Sequence, residues 1–197
     1  MDNTRIGVFV FNGAEELDFI GPWEVLASWA RNHPDDGIEI FTVAQSQGPI
    51  TCAKGLRVLA DHTWETSPQI DVLIYPGGKG TRAQIGDRTI GDWLDKTAAQ
   101  AQIMASVCTG ALVFADNGLL DNMAATTHWE SLDHLAELGE GIEVRPQDRF
   151  VDNGSVITAA GVSAGIDMAL HLVARLASVE RARQVRRYIQ YDPQPPV

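Results

Sequence analysis

Among the side chains able to act as nucleophiles, Cys108 has the most informative neighbours. It lies in Ser106-Val107-Cys108-Thr109-Gly110, the small-x-nucleophile-x-small pattern of a nucleophile elbow. In an elbow a buried strand turns sharply into a helix. Small flanking residues let the two elements approach closely, while the central residue is forced into a strained backbone conformation. The Cys108 side chain is therefore expected to stand exposed at the top of a sheet. A helix amino end beside the sulfur would favour thiolate over thiol, and the free backbone N–H groups could stabilise charge developing on a substrate. Free cysteines are more often simple core residues, and Cys52, which lacks this context, is read that way.

Two other segments belong to the same pattern. Asp18 and Gly77-Gly78, like Cys108, fall just beyond the ends of predicted core strands, and ligands of parallel sheets collect at the carboxyl ends of the strands. Gly77 and Gly78 would let backbone come close to the sulfur and offer N–H donors, or they form a plain turn. The Thr109 hydroxyl could orient a substrate or water, and the residue also suits a helix start. His128 follows a strand-like piece that could end near the elbow, and a Cys–His pair is a common way to activate a thiol. A histidine beside Trp129 is equally a packed, hydrogen-bonded side chain. The two cysteines form no CxxC pair and the five histidines no HExxH pattern, so neither a disulfide framework nor a metal site is expected.

The elements that must position these residues follow from hydrophobic patterning. Nearly continuous apolar runs at residues 6–11, 71–75 and 103–107 read as strands buried on both faces, with a further strand at 38–44. Residues 15–18 read as an acidic loop, after which Gly21-Pro22 opens a helix with Pro22 in its first turn. Residues 50–59 suggest a hairpin around Lys54-Gly55. Helices are expected at 89–101, 109–117 and 130–138, with 124–127 strand-like. Residues 150–157 form a hairpin with an Asn153-Gly154 turn, and helices at 164–177 and 179–190 close the fold. Strands alternating with helices imply a mainly parallel sheet covered on both faces. Residues 1–190 are expected to form one domain and 191–197 an extended, proline-rich tail.

Composition narrows the function classes. The chain has 197 residues and a formal net charge of −11, which argues against a nucleic-acid partner. The basic group Arg181, Arg183, Arg186 and Arg187 has the spacing of a solvated helix surface. No apolar run reaches the length of a membrane span, and the amino terminus lacks the features of a signal peptide. A cytoplasmic protein acting on a small molecule, without membrane or nucleic-acid partner, is the expectation.

Taken in order, five segments resemble the ThiJ/PfpI (DJ-1/PfpI) superfamily, whose fold is of the class I glutamine-amidotransferase type. They are Ile6–Phe11 with Gly13–Asp18, Asp71–Gly78, Ala105–Gly110, Ala125–Trp129 and Gly161–Asp167. The resemblance implies a flavodoxin-like three-layer α/β/α sandwich with a nucleophile elbow, and a symmetric homodimer. Members of the protease and deglycase type usually place His after the nucleophile, where this chain has Thr109. Asp18 with Cys108-Thr109-Gly110 and the later Thr-His-Trp is similar to the isonitrile hydratase branch.

For that branch the resemblance implies attack of Cys108 on the isonitrile carbon with Asp18 supplying the proton. Water would then release an N-substituted formamide, and no cofactor is required. Within this branch the acid–base role belongs to the carboxyl, which leaves His128 as a further candidate beside it; Asp167, at a helix start, is expected as a cap or ion-pair partner. Two alternatives stay open: a small-molecule or oxidation-sensing cysteine protein, and a deglycase or amidase. A related branch is the sensor half of some AraC-type regulators, whose DNA-binding region this chain is expected to lack.

Overall fold

The computed structural model describes residues 3–193. β1 (Thr4–Phe9) leads into α1 (Glu16–Asn32), and β2 (Ile38–Ala44) follows. A short hairpin of β3 (Ile50–Thr51) and β4 (Arg57–Val58) stands outside the main sheet. Next come β5 (His62–Thr63), β6 (Val72–Tyr75), α2 (Arg88–Ala98), β7 (Ile103–Val107) and α3 (Gly110–Asp116). The last third holds β8 (Ala124–Ala125), α4 (Leu132–Leu138), β9 (Glu143–Val144), β10 (Phe150–Asp152), β11 (Val156–Ala159), α5 (Ala164–Leu176) and α6 (Val179–Tyr188).

Seven strands make one sheet in the order β10-β11-β7-β6-β1-β2-β5. Every neighbouring pair is parallel except β10–β11. The four residues of β6, the five of β7 and the four of β11 are all buried, as strands covered on both faces must be. On one face Val107 packs against Gly165 of α5, and α5 packs on α1 and α6. On the other, Phe9 and Tyr75 meet Trp93 of α2 and Phe114 of α3 at ring separations of 4.9 to 5.5 Å. This is the three-layer sandwich with a mainly parallel sheet that the sequence implied. The central order β7-β6-β1 sets the three candidate strand ends side by side.

Several local expectations change. α1 begins at Glu16, five residues before Gly21, and Pro22 lies inside it. Glu16 and Asp18 occupy the first turn, where acidic side chains suit the helix dipole. Pro22 forfeits only the one bond that its N–H would donate to the Asp18 carbonyl. Asp18 therefore sits on a helix and not in a loop. In the β10–β11 hairpin Asn153 N–H donates to Val156 O at 2.9 Å, so the two central residues are Gly154 and Ser155. Gly154 takes the positive φ of 88° there, one position later than the Asn-Gly reading placed the turn. β8 pairs with β9 in a separate two-stranded sheet, and β5 adds an edge strand that the sequence reading did not separate. α2 stops at Ala98. Trp29 is core, with its Nε1 donating to Asp36 at 2.6 Å. Asp167 holds Arg149, whose Nε donates to it at 2.8 Å. Residues 194–197 of the proline-rich tail lie outside the described residues. No helix among the described residues is long and apolar enough to cross a membrane.

Candidate active site

The turn after β7 has the geometry of an elbow. Cys108 adopts φ +57°, a left-handed conformation that costs a residue with a Cβ about 1–2 kcal/mol. Its surroundings hold it there. The Cys108 N–H is shared between Ala159 O at 3.0 Å and Ala160 O at 3.1 Å, both at the end of β11. Its carbonyl accepts the Thr127 hydroxyl at 2.7 Å. Gly110 is needed for the tight exit, because a Cβ there would stand 2.5 Å from Tyr75 O. A second residue is strained on the other side of the sulfur: Val162 has φ +48°, a genuine outlier for a β-branched side chain.

Asp18 reaches the same point from the first turn of α1. It is fully buried, with Phe19 buried beside it and Leu17 partly exposed. Its Oδ2 accepts the Gly77 N–H at 2.9 Å. Oδ1 is buried without a well-formed hydrogen bond, and the Cys108 thiol is the carboxyl's other polar neighbour. Gly77 must be glycine, since a Cβ would lie 2.5 Å from Thr109 N, 2.7 Å from Thr109 Oγ1 and 2.9 Å from Asp18 Oδ2. Gly78 N–H donates to Thr109 Oγ1 at 2.9 Å, and the Thr81 hydroxyl, which donates to Gly78 O at 2.8 Å, lies 3.1 Å from the same Thr109 oxygen. Thr109 thus ties the Pro-Gly-Gly loop to the elbow. The five residues Asp18, Gly77, Gly78, Cys108 and Thr109 form one connected group.

The electrostatics differ from the sequence expectation. Cys108 is buried, only 6% exposed. Desolvation, followed by the Asp18 charge, pushes its thiol up to about 12, while hydrogen bonds from the Thr109 and Val162 N–H groups pull the other way. An exposed thiolate favoured by the helix is therefore replaced by a buried thiol. The helix itself, α3, is only seven residues long. Desolvation also lifts Asp18 to about 7, with the Gly77 N–H opposing and the Glu15 charge adding to it. The carboxyl and thiol share a site that cannot hold two negative charges, so they titrate as a coupled pair. A carboxyl poised near neutrality beside a nucleophile can accept a proton and return it.

His128 is placed nearby but turned to other work. Its Nδ1 accepts the Glu130 N–H at 3.3 Å, and its ring packs on Gly161, where a Cβ would come within 2.5 Å of Cδ2. Among the described residues, its polar partner is Glu130. The structure adds Val162 and Thr127 to the site. Thr127 lies in the Ala125–Trp129 segment, where nothing local marks its hydroxyl as a partner of the elbow. Nothing in Gly161-Val162-Ser163 signals a positive φ at a valine, and only its place beside the helix start could have drawn attention. Cys52 is buried, as expected, in the turn between β3 and β4. Among the described residues no group of three or more His, Cys, Asp or Glu side chains could hold a metal ion.

Isonitrile hydratase of Pseudomonas putida is 38% identical over 192 residues, covering 98% of this chain and 80% of that protein. The HTH-type transcriptional regulator CdhR of Pseudomonas aeruginosa is 32% identical over 88% of this chain, which spans 51% of the regulator's length. The crystal structure of a ThiJ/PfpI family protein from Pseudomonas syringae superposes with a TM-score of 0.89 and 34% identity, covering all of this chain and 78% of that one. The DJ-1/PfpI family model matches residues 4–175. With its elbow, its Pro-Gly-Gly loop and its sheet order all in the same match, the chain belongs to the DJ-1/PfpI family.

Proposed function

We propose that this protein hydrates isonitriles to N-substituted formamides, with Cys108 as nucleophile and Asp18 as proton carrier. The observation that carries the reading is the buried Asp18 carboxyl, free at Oδ1, beside the Cys108 thiol. An isonitrile carbon must gain a nucleophile and a proton at the same atom, and the two groups supply one each. The similarity to the Pseudomonas putida isonitrile hydratase supports the same choice of substrate class.

In this mechanism the Asp18 carboxylate takes the thiol proton as Cys108 Sγ attacks the terminal carbon. It then delivers that proton to the same carbon, which gives a neutral thioimidate, R–N=CH–S–Cys. Water adds to the thioimidate carbon with Asp18 again moving the proton. Collapse expels the thiol, and R–NH–CHO leaves with Cys108 and Asp18 restored. The sum is isonitrile plus water to formamide, and the steps draw on nucleophilic and general acid–base catalysis. Because the thiol is held up to about 12, proton removal by Asp18 must accompany attack. The Thr109 and Val162 N–H groups offer donors to the sulfur as it becomes anionic. Gly77 orients the carboxyl through its N–H, and Thr109 keeps Gly78 in place.

The test is to mix the protein with a small alkyl or aryl isonitrile and follow formamide by proton NMR, with Cys108→Ala and Asp18→Asn as controls. Absence of turnover across a range of isonitriles would overturn the proposal, and full turnover in Cys108→Ala would overturn the nucleophile. The similarity to CdhR favours a second reading, a small-molecule sensor. That reading requires isonitrile-independent ligand binding that survives Cys108→Ala. An oxidation sensor fits less well, since such sites need an accessible, low-pKa thiolate.

A further inference from the structure

The turn between β3 and β4 is fastened to the acidic start of α1 by several contacts. Ala53 N–H donates to Ala14 O at 2.8 Å, and Gly13 N–H donates to Thr51 O at 2.9 Å. Glu16 Oε1 accepts the Lys54 N–H at 2.7 Å and the Leu56 N–H at 3.4 Å. The Lys54 ammonium forms an ion pair with Glu15 Oε1. Glu15 is itself fixed to the Pro-Gly-Gly loop, donating its N–H to Gly77 O at 2.9 Å. Three residues farther along the chain, the same segment carries Asp18. A cation is thus brought from one turn onto the carboxylates at the start of α1, of which Asp18 adjoins the nucleophile.

We propose that Lys54 is a positioning residue for the Asp18–Cys108 pair, holding Glu15 from the β3–β4 turn and supplying a positive charge at the acidic start of α1. The inference rests on the reading that Asp18 and Cys108 act together. The charged or titratable groups acting on Asp18 are Glu15 beside it, Cys108 on the elbow and Lys54 on the turn. Lys54 in turn feels Glu15, Glu16 and Asp18. Without the ammonium, Glu15 presents an unbalanced negative charge to a buried carboxyl, and Asp18 keeps its proton to higher pH. Without the Glu15 charge the displacement reverses. Lys54 has a side-chain exposure of 67%, so its influence is partly screened by solvent and salt.

The experiment follows alkylation of Cys108 by iodoacetamide, read by intact mass, from about pH 5 to 9 across the range in which a carboxyl shifted up to neutrality titrates. Proteins compared are the wild type, Lys54→Gln, Lys54→Arg, Glu15→Gln and the Glu15→Gln/Lys54→Gln double variant. In Lys54→Gln the midpoint should rise by about 0.5 to 1 unit, with Lys54→Arg near wild type, Glu15→Gln lower and the double variant in between. The Lys54→Gln difference should shrink as salt rises from about 0.01 to 1 M, where the screening length falls from about 30 to 3 Å. A Lys54→Gln midpoint that coincides with wild type at low salt overturns the proposal, as does an unmoved Glu15→Gln midpoint. Alkylation needs no isonitrile, so the two proposals fail separately. A wild type without turnover that still shows the Lys54 shift removes the hydratase reading alone. Normal turnover with a midpoint indifferent to Lys54 removes this one alone.

Discussion

Replacing Asp18 with Asn tests the electrostatics of the site through stability, independently of any substrate. Burial raises the carboxyl from 3.8 to about 7. Between those values the folded protein holds a proton that the unfolded chain has released, so stability falls as pH rises through the window. At 1.36 kcal/mol per unit, a shift of about three units amounts to on the order of 4 kcal/mol. That contribution is fully present below about pH 4 and lost above about pH 7. Asparagine can still accept the Gly77 N–H but cannot ionise. Any cost of burying its second amide atom is the same at every pH. The stability of Asp18→Asn relative to wild type should therefore climb between about pH 4 and 7 by on the order of 4 kcal/mol, equivalent to roughly 10 °C in Tm for a chain of this size. Urea unfolding followed by tryptophan fluorescence, at one protein concentration and several pH values, measures the difference. A difference that stays flat across the window would show that Asp18 ionises normally in the folded protein. The burial argument and the proton-carrier role would then both fall.

Other substitutions probe individual contacts. Cys108→Gly and Cys108→Ala should both abolish turnover and lose the same buried sulfur, but only glycine is relieved of the positive φ, so the glycine variant should be the more stable of the two by up to about 1 kcal/mol, read as a higher midpoint in denaturant; a lower midpoint than that of the alanine variant would mean that the elbow is not strained. Thr109→Val leaves the Gly78 N–H without its acceptor, while the Thr81 hydroxyl keeps the Gly78 carbonyl at 2.8 Å, for an expected loss of about 1–3 kcal/mol. Thr109→Ser should lose much less, and equal losses would mean that packing and not the hydroxyl matters. Gly77→Ala forces a Cβ against Thr109 and Asp18 and is expected to cost at least about 2 kcal/mol, together with nearly all activity. A stable, active variant would show that the loop has room to move. Asp152 anchors the β10–β11 hairpin to α5 through His171 at 2.6 Å and Arg175 at 2.9 Å. Although burial works in the opposite direction, these partners and the Gly154 N–H hold its carboxyl below the usual range. Stability from it is present above the ordinary aspartate pKa and lost as pH falls through the lowered one, so Asp152→Asn should flatten the acid limb of the stability curve.

The strands that carry the site were legible because each is buried on both faces and so reads as an unbroken apolar run, as in Val72–Tyr75 and Ile103–Val107. The elbow was legible because small residues around a nucleophile have few other uses. The start of α1 was misplaced because Pro22 looked like a helix opener, whereas one lost bond is tolerated when a helix packs as α1 does on α5. Tertiary burial also set what composition could not. An expected exposed thiolate became a thiol under 6% exposure, because the decisive terms are desolvation and a carboxylate delivered from 90 residues away in the chain. The positive φ of Val162 and the turn at Gly154-Ser155 depend on neighbours that no local pattern reveals.

The margins of the sheet have a consequence for how the protein behaves in concentrated solution. At one side β5 has two residues, and at the other β10 has three. An exposed strand edge is a template on which another chain can continue hydrogen bonding, and proteins blunt it by keeping the edge short. The fully buried strands β6 and β7, whose segments would pair readily with copies of themselves, are confined to the interior of the sheet. Runaway association by sheet extension is thus disfavoured while the fold is intact. The hazard returns only when partial opening uncovers the central strands. Unfolding intermediates, and not the native state, should be the aggregating species of this protein.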